Sequence, residues 1–182
     1  MSIGITGNPG VGKHTVAKEV AKKLDLPILD INTIAKEAGL FEENNETNDV
    51  DTVRLGDIIR QKNLENCLVV GHLAPYVLEK DQVTKMVVLR RNPYDLIQVY
   101  KEREYSEDKI RENAGSEVLG IIAHDSINKF QEKTCHIDTS NKTIQEVTEK
   151  AISQISESSG SDVVDWLDSV TKNDDLKKFF VD

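Results

Sequence analysis

Short apolar runs separated by longer amphipathic stretches organise this chain. Strand-like runs occupy residues 2–6, 27–30, 67–70, 85–90 and 134–137. Between them, apolar positions recur at helical spacing near 13–24, 31–38, 51–62, 93–104, 106–130 and 143–155. In the first of these helical stretches Val16, Ala17, Val20, Ala21 and Leu24 fall on one face. Strands alternating with helices pair in parallel through right-handed crossovers, which predicts an open α/β fold with helices on both faces of a five-stranded parallel sheet. Ligands of such sheets sit at the carboxyl ends of the strands. Two stretches carry no such period. Residues 41–49, rich in Glu and Asn, read as a mobile loop, and 156–161 (Ser-Glu-Ser-Ser-Gly-Ser) reads as a flexible linker. After the linker, Val163, Trp166, Leu167 and Val170 form an apolar stripe at helical spacing, followed by Leu176, Phe179 and Phe180. This tail, 162–182, is expected to dock on the core, with a partner contact as the alternative.

The 182 residues suit one domain with a single sizeable core. A net charge of −9 argues against a broad grip on nucleic acid or an anionic membrane, and favours encounter with a basic partner. No apolar stretch approaches membrane-spanning length, and the chain enters its first strand too early to leave room for a signal peptide. Cys67 and Cys135 lie in strand-like runs without metal-ligand spacing, so they read as buried reduced thiols of a cytoplasmic protein.

Chemistry enters between the first strand and the first helix, at Gly7-Asn8-Pro9-Gly10-Val11-Gly12-Lys13-His14-Thr15. A glycine-rich turn in this context lets backbone N–H groups converge on phosphate oxygens, and the helix amino end adds partial positive charge. Lys13 reaches the terminal phosphates as a point charge. The plain structural reading, a tight turn that happens to contain three glycines and a lysine, fits the position and context less well. A guanine-specifying Asn-Lys-x-Asp run is absent, although Asn141-Lys142 matches its first half. Downstream, Arg90-Arg91-Asn92-Pro93 closes a strand and opens a helix, and Arg103 precedes a Tyr-Ser turn into the next. Basic residues on such a helix-turn-helix suit a lid that neutralises a transferring phosphoryl group. For any single arginine, a solvated helix charge is the plain alternative.

Taken in order, five pieces resemble the adenylate kinase isoenzyme-six family: Gly-x-Pro-Gly-x-Gly-Lys-x-Thr at 7–15, Asp49-x-Asp51 opening a helix, Gly71-His72-Leu73-Ala74, Val87-Val88-Leu89-Arg90-x-Asn92-Pro93, and Arg103-x-Tyr105-Ser106-x-x-Lys109-Ile110-x-x-Asn113 with Glu117. The resemblance runs from residue 3 to about 155 and leaves the tail outside it. It implies a P-loop NTPase fold and ATP:AMP phosphotransfer with ATP and Mg²⁺, together with ATPase activity. It also implies a role in small ribosomal subunit maturation and rRNA processing. On this reading 1–155 is the kinase domain, with an acceptor-binding region at about 30–53 and a lid at about 102–112. ATP phosphates would lie in the cradle of Gly10, Val11, Gly12, Lys13, His14 and Thr15, with Arg103 closing over them. AMP would meet Lys36, Asp30 and Asp51. His72 would orient a water or sense phosphate, or else be a structural histidine. Mg²⁺ would be held through phosphates and water, with Thr15 or His14 as possible direct ligands. Four departures from the family pattern bear on rate: His14 where a hydroxyl is usual, Val70 where an acid commonly ends the strand, Lys36 in place of arginine, and Glu104 in place of glycine. The rival reading is a nucleotide-dependent assembly factor whose acidic segment 41–51 engages a basic small-subunit ribosomal protein. A kinase of another small acceptor is the third.

Overall fold

The computed structural model describes residues 1–43, 48–157 and 160–180. Five strands form one parallel sheet: β1 (Ser2–Thr6), β2 (Ile28–Asp30), β5 (Leu68–Val70), β6 (Val83–Arg90) and β7 (Thr134–Asp138), in the order β2-β5-β1-β6-β7. Ile5 pairs with Val70 on one side and Val87 on the other, so β5 and β1 end within a residue of each other while β6 runs on to Arg90. Side chains alternate between the faces of a strand. Leu68, Val70, Val87 and Leu89 therefore enter one core with α1 (Lys13–Leu24), α5 (Pro93–Glu102), α6 (Glu107–Leu119) and α8 (Ile144–Glu157). Cys67, Val69, Met86 and Val88 enter the other, with α2 (Ile31–Glu37), α3 (Thr52–Arg60), α4 (Ala74–Val77) and α7 (Ile121–Phe130). Both cysteines are free and buried. Among the described residues no helix is long and apolar enough to cross a membrane.

Three expectations need correction. The helical pattern over 106–130 is two helices, because Gly120 adopts φ 64° and ends α6 with a left-handed residue. A side chain would be strained in that conformation, and its Cβ would also stand 3.2 Å from the Arg90 guanidinium. Residues 41–49, read as a loop, contain β3 (Phe41–Glu43) and β4 (Asn48–Val50), which pair antiparallel with Phe41 opposite Val50; residues 44–47 lie outside the described residues. Helix α8 continues to Glu157, into the segment read as linker, of which 158–159 lie outside the described residues.

Beyond Gly160 the chain runs along edge strand β7. Asp162 N–H donates to His136 O (3.0 Å), Ser161 Oγ accepts from His136 N–H (2.9 Å), and Asp162 Oδ2 accepts from Asp138 N–H (2.9 Å). This covers an otherwise open sheet edge. The tail then forms α9 (Trp166–Lys172) and α10 (Leu176–Phe179), burying Val170 and Phe179 in the first core. Val163 is 99% exposed and Leu167 41%, so only part of the expected apolar stripe docks.

Candidate functional site

The turn from β1 into α1 lies at the carboxyl edge of the sheet. Its backbone takes positive φ at Gly7 (140°), Gly10 (84°) and Gly12 (92°). At Gly7 the requirement is a close approach as well as a dihedral, since a Cβ there would meet Leu89 O at 2.4 Å. Helix α1 starts with no capping side chain and no acidic residue in its first turn. Its leading N–H groups are thus left for an external acceptor.

This helix end opens into a cleft of about 670 Å³, lined by the loop and by Asn32, Val50, His72, Tyr76, Arg103, Lys109 and Asn113, among others. The volume lies within the range of small-molecule sites. Three cations, Lys13, Arg103 and Lys109, face this one cleft of an acidic protein. Lys13 is 5% exposed, and its ammonium donates to Asn8 O at 3.3 Å. Burial, with the Arg103 charge adding to it, lowers the Lys13 pKa to about 8, and Asp30 opposes the shift. His72, two residues beyond β5, is held neutral: burial first, then Lys13 and His14, lower its pKa to about 4. Among the described residues no group of three His, Cys, Asp or Glu side chains is arranged to hold a metal ion.

The structure brings Lys13, His14, Thr15, His72 and Arg103 together around the cleft, with Gly10 and Gly12 of the loop. Val11 points instead into the core, 2% exposed. All three expected acceptor residues stand outside the cleft lining. Lys36 is exposed in the last turn of α2, and Asp51 caps α3, accepting from Arg54 N–H at 2.9 Å. Asp30 is also engaged locally: Oδ1 caps α2 through Asn32 N–H (2.8 Å) and Thr33 N–H (3.2 Å), while Oδ2 lies 3.1 Å from His14 Nε2. His14 therefore ties the loop helix to the start of α2. Burial, then Lys13, lower its pKa, and Asp30 opposes the shift. Val70, where an acid was missing, is core, 1% exposed.

The basic cluster 90–103 divides by role. Arg90, 4% exposed, is a structural ion pair, its Nε 2.7 Å from Glu117 Oε1. Arg91 Nη1 donates to Gly10 O at 3.2 Å and so braces the loop. Of the three arginines only Arg103, at the carboxyl end of α5, lines the cleft. Glu104 adopts φ 57°, keeping the left-handed turn that a glycine would take without strain. Residues that sequence reasoning left without a role complete the loop's support. Tyr100 OH donates to Pro9 O at 2.6 Å, and Asn8 Nδ2 donates to Glu117 Oε2 at 2.6 Å. Glu117 stood in the motif series, but nothing in its spacing said that it holds the loop.

The AAA-domain family matches residues 3–120, which contain the loop, the cleft residues and Glu117. A protein named "Putative adenylate kinase" from Pyrococcus furiosus is 33% identical over 169 residues, 91% of each chain. The chain belongs to the family that such relatives form. A second relative of the same name, from Methanosarcina barkeri, is 32% identical and is covered over its whole length by 93% of this chain. The crystal structure of a gluconokinase from Sinorhizobium meliloti 1021 shares the fold, with a TM-score of 0.59 and 16% identity over 85% of this chain and 90% of that one. The family membership and the P-loop fold agree with the motifs on which the resemblance rested.

Proposed function

We propose that this protein transfers the γ-phosphoryl group of ATP to AMP, giving two ADP, and hydrolyses ATP more slowly when no acceptor is bound. The observation that carries the reading is the buried Lys13 ammonium. It sits beside a second cation, Arg103, at an uncapped helix end, with Asp30 as the opposing charge. The family relatives named for adenylate kinase activity support the same reaction.

In this reading the β- and γ-phosphates occupy the loop, against the N–H groups from Gly10 to Thr15. The adenosine of ATP lies on the loop's other side, in a cavity of about 610 Å³ lined by Gly12, Thr15, Arg91, Val99, Asn141 and Ile144, among others. The acceptor lies in the larger cleft against Asn32, His72 and Tyr76, which replace Lys36 and Asp51 as the residues nearest to it. An acceptor phosphate oxygen attacks the γ-phosphorus as the bond to the β–γ bridging oxygen breaks. Lys13, Arg103 and Lys109 neutralise the charge spread over the equatorial oxygens, without a covalent enzyme intermediate. Thr15 is the residue whose hydroxyl could help to hold Mg²⁺, which would supply further charge neutralisation at the phosphates. His72, neutral, accepts or donates one hydrogen bond at the cleft wall.

A second reading is favoured by the β3–β4 hairpin. This acidic segment delivers Val50 to the cleft wall, so nucleotide occupancy and the hairpin share a surface. A nucleotide-dependent assembly factor would use that link to engage and release a basic protein, such as one of the small ribosomal subunit. ADP formation measured with and without AMP separates the two. The kinase reading expects AMP to raise the rate by about an order of magnitude or more. An unchanged or lower rate removes the kinase and leaves the ATPase.

A further inference from the structure

The tail reaches the phosphate loop through a short chain of hydrogen bonds. Trp166 Nε1–H donates to Glu117 Oε1 at 3.2 Å. The other carboxylate oxygen of Glu117 accepts from Asn8 Nδ2 at 2.6 Å, and Asn8 O accepts the Lys13 ammonium at 3.3 Å. Ser116 Oγ donates to Asn8 Oδ1 at 3.2 Å, which fixes the amide's orientation. Glu117 is fully buried. Burial pushes its pKa up, and the Arg90 guanidinium and the Asn8 amide pull it back down. Every hydrogen bond it receives (Arg90 Nε, Arg91 N–H, Trp166 Nε1 and Asn8 Nδ2) comes from a donor, so the arrangement suits a carboxylate.

Trp166 is fixed from both sides. Upstream, Asp162 is hydrogen-bonded to β7; downstream, Asp175 Oδ2 accepts from Tyr94 OH at 2.9 Å, and the Phe179 ring meets Tyr94 edge-on at 5.3 Å. Phe179 and Phe180 also press on Gly115, where a Cβ would stand 3.1 Å from each. The tail thus grips α5 and α6, the two helices that flank Arg103. An indole held only for its apolar area would sit with the apolar stripe, yet Val163 and Leu167 of that stripe are exposed, and the Trp166 N–H points at a buried carboxylate that bonds the loop.

We infer that Trp166 is a positioning residue for the phosphate loop: through Glu117 it holds Asn8, and Asn8 holds Lys13, in the geometry that receives a triphosphate. The inference rests on the nucleotide-binding reading above. It makes the tail part of the site, although none of the described tail residues lines the cleft.

Trp166 is the only tryptophan, so its emission reports on this link directly. Titrating the full-length protein with ADP should change that emission in step with the heat measured by calorimetry on the same sample. Binding must redraw the Lys13–Asn8 contact and with it the field at Glu117. Trp166→Phe keeps an aromatic ring and removes the N–H. It should lower kcat/KM for ATP by about 3- to 10-fold, a loss comparable with one hydrogen bond, with the circular dichroism spectrum unchanged at 25 °C. Emission that stays flat while calorimetry saturates overturns the inference, as does a folded Trp166→Phe protein with wild-type kcat and KM. Should that variant fail to fold, the wild-type titration alone decides. Absence of calorimetric heat in the wild type instead rejects nucleotide binding itself, so the two failures are distinguishable.

Discussion

Lys13 shows how a functional group is installed at a cost to the fold. In the unfolded chain its ammonium has the ordinary value of 10.5; in the fold it releases its proton near pH 8. Between those values the unfolded chain binds more protons, so stability rises with pH from about 8 to 10.5. Below pH 8 the fold carries the whole penalty, on the order of 3 kcal/mol. Lys13→Met keeps the buried stem and removes the charge. In the nucleotide-free protein it should therefore be more stable than wild type at pH 7, by about 1–3 kcal/mol, while losing ADP formation. Urea unfolding at pH 7 and pH 10 checks this: the gain should shrink at the higher pH, and a variant less stable than wild type at pH 7 contradicts it. His72 works in the same direction, at lower pH. Held near pKa 4 against 6.5 in the unfolded chain, it withdraws stability as pH falls from about 6.5 to 4, because only the unfolded chain takes up the proton there. At this scale Lys13 and Arg103 were legible in the sequence because spacing within one turn determines where they point. Lys36, Asp51 and the His14–Asp30 contact were not legible. Each depends on how α2 and α3 sit beside α1, which local spacing does not contain.

Most elements could be read from the hydrophobic period, and the exceptions share a cause. The apolar positions from 106 to 130 keep a helical period through Gly120, and only the fold shows why the chain must break there. Arg90 Nη2 donates to Glu117 O at 2.8 Å, taking a carbonyl from the last turn of α6. Gly120→Ala would force a side chain into a left-handed residue and against that guanidinium. It should cost about 2 kcal/mol or more, because both the strain and the disturbed buried pair contribute. Chemical denaturation reads the loss; a change below about 0.5 kcal/mol would show that the αα break tolerates a Cβ. The β3–β4 hairpin escaped notice for a related reason. Its residues carry no alternating apolar face, and antiparallel pairing is a property of two segments rather than of either alone.

For the whole molecule, the tail is the feature that changes most between sequence and structure. It covers the β7 edge, grips α5 and α6, and inserts Phe179 into the main core at 1% exposure. Phe179→Ala should therefore destabilise the entire domain, by about 3–5 kcal/mol, in a single transition. Thermal unfolding followed by circular dichroism and by Trp166 emission should show both probes falling together. A tail that melts separately at lower temperature would make it an appendage after all. The acidic surface and the cationic cleft also belong to this scale: a net charge of −9 leaves the few converging cations as the local exception that an anionic substrate would find.

The sequence by itself determined the order of strands and helices, the parallel sheet and the glycine-rich turn with its lysine, because hydrophobic period and short-range backbone geometry are local properties. Only the tertiary structure decided which cations share the cleft, that Arg90 is a buried strut rather than a lid residue, and that a tryptophan near the end of the chain supports a loop near its beginning. Those relations join residues far apart in the chain, 27 positions for Arg90 and Glu117 and 49 for Trp166 and Glu117, and packing alone brings them together.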